Sequence, residues 1–175
     1  MTLSNIVLVG VDGSAESAAA LKYAVAEANR RGARLRVVST YFPEYSVHGH
    51  TQPLTASETG IEVDVEAQTR RMAEEALAGD AMGPPIEIVV AAGPAAGVLI
   101  DQSSEADVLV LGHRGRGGFA SMLLGSVSLQ CVMHAHCPVI VVRPTGATAS
   151  APIAEPVASG TTESVDATST AKPAG

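Results

Sequence analysis

Five short apolar runs are spaced along this chain: NIVLVGVD (5–12), RLRVVSTY (34–41), IEIVVAA (86–92), DVLVLG (107–112) and PVIVVR (138–143). They are rich in β-branched residues and lack the polar alternation of a half-solvated strand, as expected for strands covered on both faces. The segments between them follow the helical period instead. Ala18, Leu21, Val25 and Ala28 share one face of a helix that Ser14 can N-cap, and Val65, Met72 and Ala76 mark a second. Pro94, after Gly93, suits the first position of a third helix. Leu124, Val127, Cys131 and Ala135 stripe a fourth, which Pro138 ends. Strand and helix in regular alternation predict an α/β fold: one open, five-stranded parallel sheet with right-handed crossovers and helices on both faces.

The chain has 175 residues, 46% of them hydrophobic, which suits one domain with a sizeable core. From Thr145 onward the sequence is rich in Ala, Thr, Ser and Pro and has no aromatic residue, a composition that cannot offset its ordering entropy. The expected organisation is a folded domain over 1–144 and a disordered tail over 145–175. The polar, turn-rich stretch 43–60 reads as a long loop over the carboxyl ends of the strands, placed as a lid. Its His48 and His50 are either solvated loop residues or ligands to metal or phosphate, and no third ligand accompanies them.

Charged residues make up 17% of the chain and the formal net charge is −7, so it has no general attraction to nucleic acid or to an anionic membrane surface. No segment approaches the roughly 18 apolar residues of a bilayer span, and MTLSNIVLVG lacks the basic and apolar regions of a signal peptide. These features predict a cytoplasmic protein. Cys131 and Cys137, with His134 and His136 between them, match no zinc-ligand spacing and read as packed core thiols.

Two strand ends carry unusual chemistry. The first runs into Val11 and Asp12, a carboxylate able to accept hydrogen bonds from a ribose or a base edge. The fourth runs into GHRGRGG, with glycines at 112, 115, 117 and 118 and with Arg114 and Arg116 interleaved, and then into LLGSVS. In open α/β sheets, ligands bind beyond the carboxyl ends of the strands where strand order reverses. Residues without a Cβ let backbone N–H groups close on phosphate oxygens, and a helix N-terminus adds partial positive charge. Gly125, Ser126 and Val127 can supply such amides, while a surface loop with a Gly-Ser pair for close packing is the competing reading.

Better-known phosphate motifs do not fit. Gly118 stands where a P-loop requires lysine, and GRGGFA (115–120) lacks the acidic residue that a dinucleotide fold needs about 20 positions later. No Asp or Glu occurs between Asp107 and Glu155, so the loop itself holds no general base or metal-binding carboxylate. Ser126 is not in a nucleophile elbow. Binding fits these residues better than turnover.

Gly112-x-x-Gly115, nine residues, then Gly125-Ser126 resembles the G-2x-G-9x-G-[S/T] signature of the universal stress protein family in its ATP-binding branch. VLVGVDGSAES, GPAAGVLIDQSSEADVLVLGHRGRGG and CPVIVVRP are similar to the same family, so the resemblance spans about residues 4–144. It implies strand order 3-2-1-4-5 in a domain of the adenine nucleotide alpha hydrolase type, a homodimer, and a bound adenine nucleotide. By position, Asp12, beside Val11, would meet the ribose and Thr40 would offer backbone groups to adenine. Gly112, Arg114 and Gly115 would line the ribose and phosphate path, and Gly125, Ser126 and Val127 would hold the phosphates, with Mg²⁺ bridging phosphate oxygens.

The dimer would form through the last strand, Pro138 to Arg143, an apolar edge open to a second copy. The sequence departs from the family's usual pattern at Thr40, where an apolar residue is common, and at His113, where a small polar one is. His113 is expected to face solvent, the alternative being that it pairs with a phosphate when protonated. The function implied is an ATP-dependent regulator in stress response. Its alternatives are a slow ATPase or phosphotransfer enzyme and a partner-binding module that prefers AMP or cyclic AMP.

Overall fold

The structure is a computed structural model that describes residues 5–42, 56–78, 82–115 and 123–144, with the backbone alone described over 56–59. Its strands are β1 (Ile6–Gly10), β2 (Arg34–Tyr41), β3 (Ile86–Ala92), β4 (Val108–Gly112) and β5 (Val139–Val142). Its helices are α1 (Ala15–Arg31), α2 (Ala56–Leu77), α3 (Ala95–Ser103) and α4 (Ser126–His134). The strands form one parallel sheet in the order β3-β2-β1-β4-β5.

Alternation along the strands builds a core on each face. Val7 and Val9 of β1, Leu35 and Val37 of β2, and Val108 and Val110 of β4 pack under α1, with Met72 and Ala76 of α2 against them. Leu8, Val38, Leu109 and Leu111 point the other way, onto Leu99 of α3 and Cys131 of α4. Both cysteines belong to this second core and carry free thiols. Burial pushes the Cys131 thiol up to about 11, which makes it inert as a nucleophile.

The helix ends follow their local chemistry. The Ser14 hydroxyl accepts from the Ser17 N–H at 3.1 Å and caps α1, while Gly32 closes it in the left-handed conformation at φ 60°. Pro94 stands one place earlier than expected: it is the N-cap of α3, with extended backbone at ψ 124°, and the helix begins at Ala95. Likewise α4 starts at Ser126, which leaves Leu124 before the helix and makes Ala135 its C-cap.

The largest departure from expectation is in α2. Residues 56–60, assigned to the loop 43–60, lie in this helix, and 43–55, with His48 and His50, fall outside the described residues. The start of α2 carries Ser57, Thr59 and Gly60, weak helix formers that hide it from a propensity reading. The tail over 145–175 also falls outside the described residues.

Candidate functional site

Strand order reverses at β1, whose neighbours β2 and β4 lead to helices on opposite faces of the sheet. A cleft of about 570 Å³ opens there, within the size range of small-molecule sites. Val11, Asp12, Thr40, Gly112, Arg114, Gly115, Gly125, Ser126 and Val127 all line it. Arg116, Gly117 and Gly118 fall outside the described residues.

Asp12 lies two residues past β1 and is held by a local turn. Its Oδ1 accepts from the Ser14 N–H at 3.0 Å and from the Ser14 hydroxyl at 2.6 Å. Gly13, at φ 82°, makes this turn possible. The loop after β4 contains no carboxylate of its own, but the fold carries Asp12 to it. A Cβ built on Gly115 would sit 2.5 Å from Asp12 Oδ2, so only glycine allows the two segments to approach this closely.

Val11 is fixed by the sheet. Its N–H donates to Val38 O at 2.9 Å, and its carbonyl accepts from the Ser39 hydroxyl at 3.1 Å. Two residues beyond Ser39 on β2, Tyr41 O accepts from Gly93 N–H on the β3 side. Successive residues of a strand turn their backbone groups to alternate sides, so those of Thr40 face the β1 side, as those of Val38 do. Because β1 ends at Gly10, opposite Val38, the Thr40 groups open onto the cleft.

At the other end, α4 aims its N-terminus at the loop after β4. The Gly125 N–H is already committed to His113 O at 2.8 Å, so this amide, expected among the phosphate contacts, is not available. The amides free of intrahelical partners are those of Ser126, Val127 and Ser128, the first turn of α4. Ser128 was not foreseen. Its hydroxyl donates to Gly112 O at 2.7 Å and locks the helix start to the end of β4.

His113 does not face solvent: it is only 4% exposed. Its backbone N–H pairs with Val142 O of β5, which draws the residue into the sheet, and its Nε2 accepts from Arg114 Nε at 3.0 Å. Burial, then the Arg114 and Arg143 charges, push its pKa below the ordinary value, against an opposing pull from Glu16.

The wall opposite the glycines was not expected from the sequence. Val65, Gln68, Thr69 and Met72 of α2 and Leu99 of α3 close the cleft beside Thr40. The only signal for them was helical spacing, which marks a packed face without saying that part of it overhangs a cavity. Together the cleft joins an apolar slot near Thr40 to a polar end made of amides, Arg114 and the Asp12 carboxylate. Among the described residues, no three His, Cys, Asp or Glu side chains come together to hold a metal ion, and no helix is long and apolar enough to cross a membrane.

Comparison with known proteins agrees with this architecture. The universal stress protein family matches residues 4–143. The universal stress protein Rv2624c of Mycobacterium tuberculosis is 34% identical over 139 residues, which cover 78% of this chain and 47% of that protein. The chain spans about half the length of the curated relatives it matches. Among solved structures, UspA from Lactobacillus plantarum is 26% identical with a TM-score of 0.64, covering 82% of this chain and 100% of its own. A universal stress protein solved in complex with cAMP is 27% identical with a TM-score of 0.57, covering 79% and 95%. This chain belongs to the universal stress protein family.

Proposed function

We propose that the cleft holds ATP and that the protein acts as a nucleotide-dependent regulator in the stress response of the cytoplasm. The observation that carries this reading is the meeting of two unlike ends in one cleft: apolar walls and the free backbone edge of Thr40 at one, helix amides and Arg114 at the other. Adenine needs the first, as a flat apolar ring with a donor and an acceptor on its edge. Phosphates need the second. Asp12 lines the same cleft with its carboxylate fixed by Ser14, and in this reading it accepts from ribose hydroxyls.

The residues fit the nucleotide, because Gly112, Gly115 and Gly125 line the polar end without side chains of their own, beside Arg114 and the first-turn amides of α4. Mg²⁺ would neutralise phosphate charge and would be held chiefly through phosphate oxygens. The cleft supplies binding, orientation and charge, and its carboxylate is occupied by a structural turn, so hydrolysis is slow at most.

AMP or cyclic AMP is the second reading, favoured by the solved relative that holds cAMP. The dimer is supported by β5, an edge strand flanked by the exposed apolar side chains of Leu129, Val132 and Met133 on α4.

Equilibrium binding of labelled ATP tests the site, with the double variant Gly125→Ala and Ser126→Ala as control. The variant is expected to lose most of the affinity, and equal binding by both proteins would overturn the assignment. Nucleotide released by denaturing the purified protein separates the two readings: ATP supports the first, AMP or cyclic AMP the second.

A further inference from the structure

The contact between His113 and Arg114 has a fixed chemical sense. Arg114 Nε can only donate, so His113 Nε2 must carry a lone pair, which leaves the proton of a neutral ring on Nδ1. That Nδ1 is buried and has no hydrogen-bond partner among the described residues. An unpaired buried donor is costly, and the opposite tautomer would set N–H against N–H at Nε2. The arginine therefore selects the tautomer, and among the described residues no group at Nδ1 competes.

The charges around the ring come from three elements. Glu16 lies in the first turn of α1, Arg143 just beyond β5, and Arg114 on the loop after β4. Two cations against one carboxylate, together with burial, keep the imidazole uncharged. Arg114 itself lines the cleft, so a contact to its Nε fixes part of that side chain beside the space.

We propose that His113 is a positioning residue: as a neutral imidazole it accepts from Arg114 Nε and holds that guanidinium at the polar end of the cleft for the nucleotide's phosphates. The proposal rests on the nucleotide reading above for its ligand, and on the His113–Arg114 geometry for its mechanism. Protonation turns Nε2 into a donor and ends the contact, so the arrangement exists only while the ring is neutral.

Nitrogen NMR of the full chain without nucleotide tests the geometry first. A pyrrole-type Nδ1 and a pyridine-type Nε2 are expected, and the Arg114 Nε–H resonance should move with pH at the His113 midpoint, below 6.5. ATP affinity tests the consequence. His113→Leu should weaken binding about tenfold, the worth of one charge-assisted hydrogen bond, and His113→Gln, which restores an acceptor, should recover part of the loss. On an Arg114→Ala background, His113→Leu should cost nothing further.

A ring protonated on Nε2 overturns the proposal, as do losses from His113→Leu and Arg114→Ala that simply add. If His113→Leu fails to fold, the tautomer and the pH response of Arg114 Nε–H in the unaltered protein decide it. If the unaltered protein binds no nucleotide, the proposed function fails, while the resonances still decide whether His113 positions Arg114.

Discussion

A Cβ on Gly115 would stand 2.5 Å from Asp12 Oδ2, and Asp12 cannot simply turn away, because its Oδ1 is bound to both the N–H and the hydroxyl of Ser14. The ends of β1 and β4 thus meet through a glycine on one side and a pinned carboxylate on the other. Both segments line the cleft, so their spacing sets its width.

Gly115→Ala therefore forces the loop outward or breaks the Asp12 turn. Overpacking of this kind costs ~1–3 kcal/mol, read by chemical denaturation. Nucleotide affinity should fall at least tenfold, since the displaced groups are those proposed to face ribose and phosphate. Unchanged affinity in isothermal titration would show that the close approach serves packing alone.

Two other glycines separate stability from binding. At Gly112 an added Cβ would lie 2.9 Å from both the carbonyl carbon and the oxygen of Glu16, backbone atoms in the first turn of α1 that cannot rotate aside. At Gly125 the nearest atom is Arg114 Cα at 3.3 Å, a contact that a small shift relieves. Gly112→Ala should be the more destabilising by ~1–2 kcal/mol, within the range for an overfilled site. Gly125→Ala should act mainly on ATP affinity, through Arg114 and the start of α4. Comparing denaturation midpoints with binding isotherms checks both halves.

The open edge of β5 can be tested without disturbing the sheet. Pro138 O accepts from Leu109 N–H and Val142 O from His113 N–H, so even-numbered residues of this strand face β4 and the Val141 N–H faces outward. Proline at 141 removes an outward donor and leaves the internal ladder intact. Val141→Pro should keep the circular dichroism spectrum and shift sedimentation from dimer toward monomer. A dimer that survives the substitution pairs through some other surface.

Much of this architecture is legible in the residues themselves. The five β-branched runs give the strands to within two residues at either end, since a doubly covered strand has no other way to be written. Ser14 and Gly125-Ser126 mark helix starts because capping and glycine turns act locally. Long-range facts were not legible. That β1 and β4 are neighbours, which brings Asp12 to the carboxylate-free β4 loop, came from the family resemblance and not from the residues alone, and the burial of His113 depends on β5 capturing its amide. The α2 wall was missed for a related reason: helical spacing shows which side chains share a face but not that Gln68 and Thr69 overhang a cleft. Weak helix formers also concealed where that helix begins.

Glu27 offers a check on the fold that is independent of the site. It is buried on α1, where its Oε1 and Oε2 accept from Arg30 at 2.6 and 2.9 Å, and Arg31 Nε donates to Oε1 at 2.5 Å. Hydrogen bonds from Arg30 and then Arg31 lower its pKa from 4.5 to about 2, more than burial raises it. A folded-state value below the unfolded one means that the carboxylate stabilises the native protein above the unfolded pKa, and that this contribution is lost as pH falls from about 4.5 toward about 2. Glu27→Gln, which keeps the shape and removes the charge, should be less stable than the unaltered protein at pH 7 and should converge on it through that window. Urea denaturation of both proteins at several pH values gives the comparison, and a gap that stays constant down to the lower limit would mean that the two arginines leave the carboxyl's titration unperturbed.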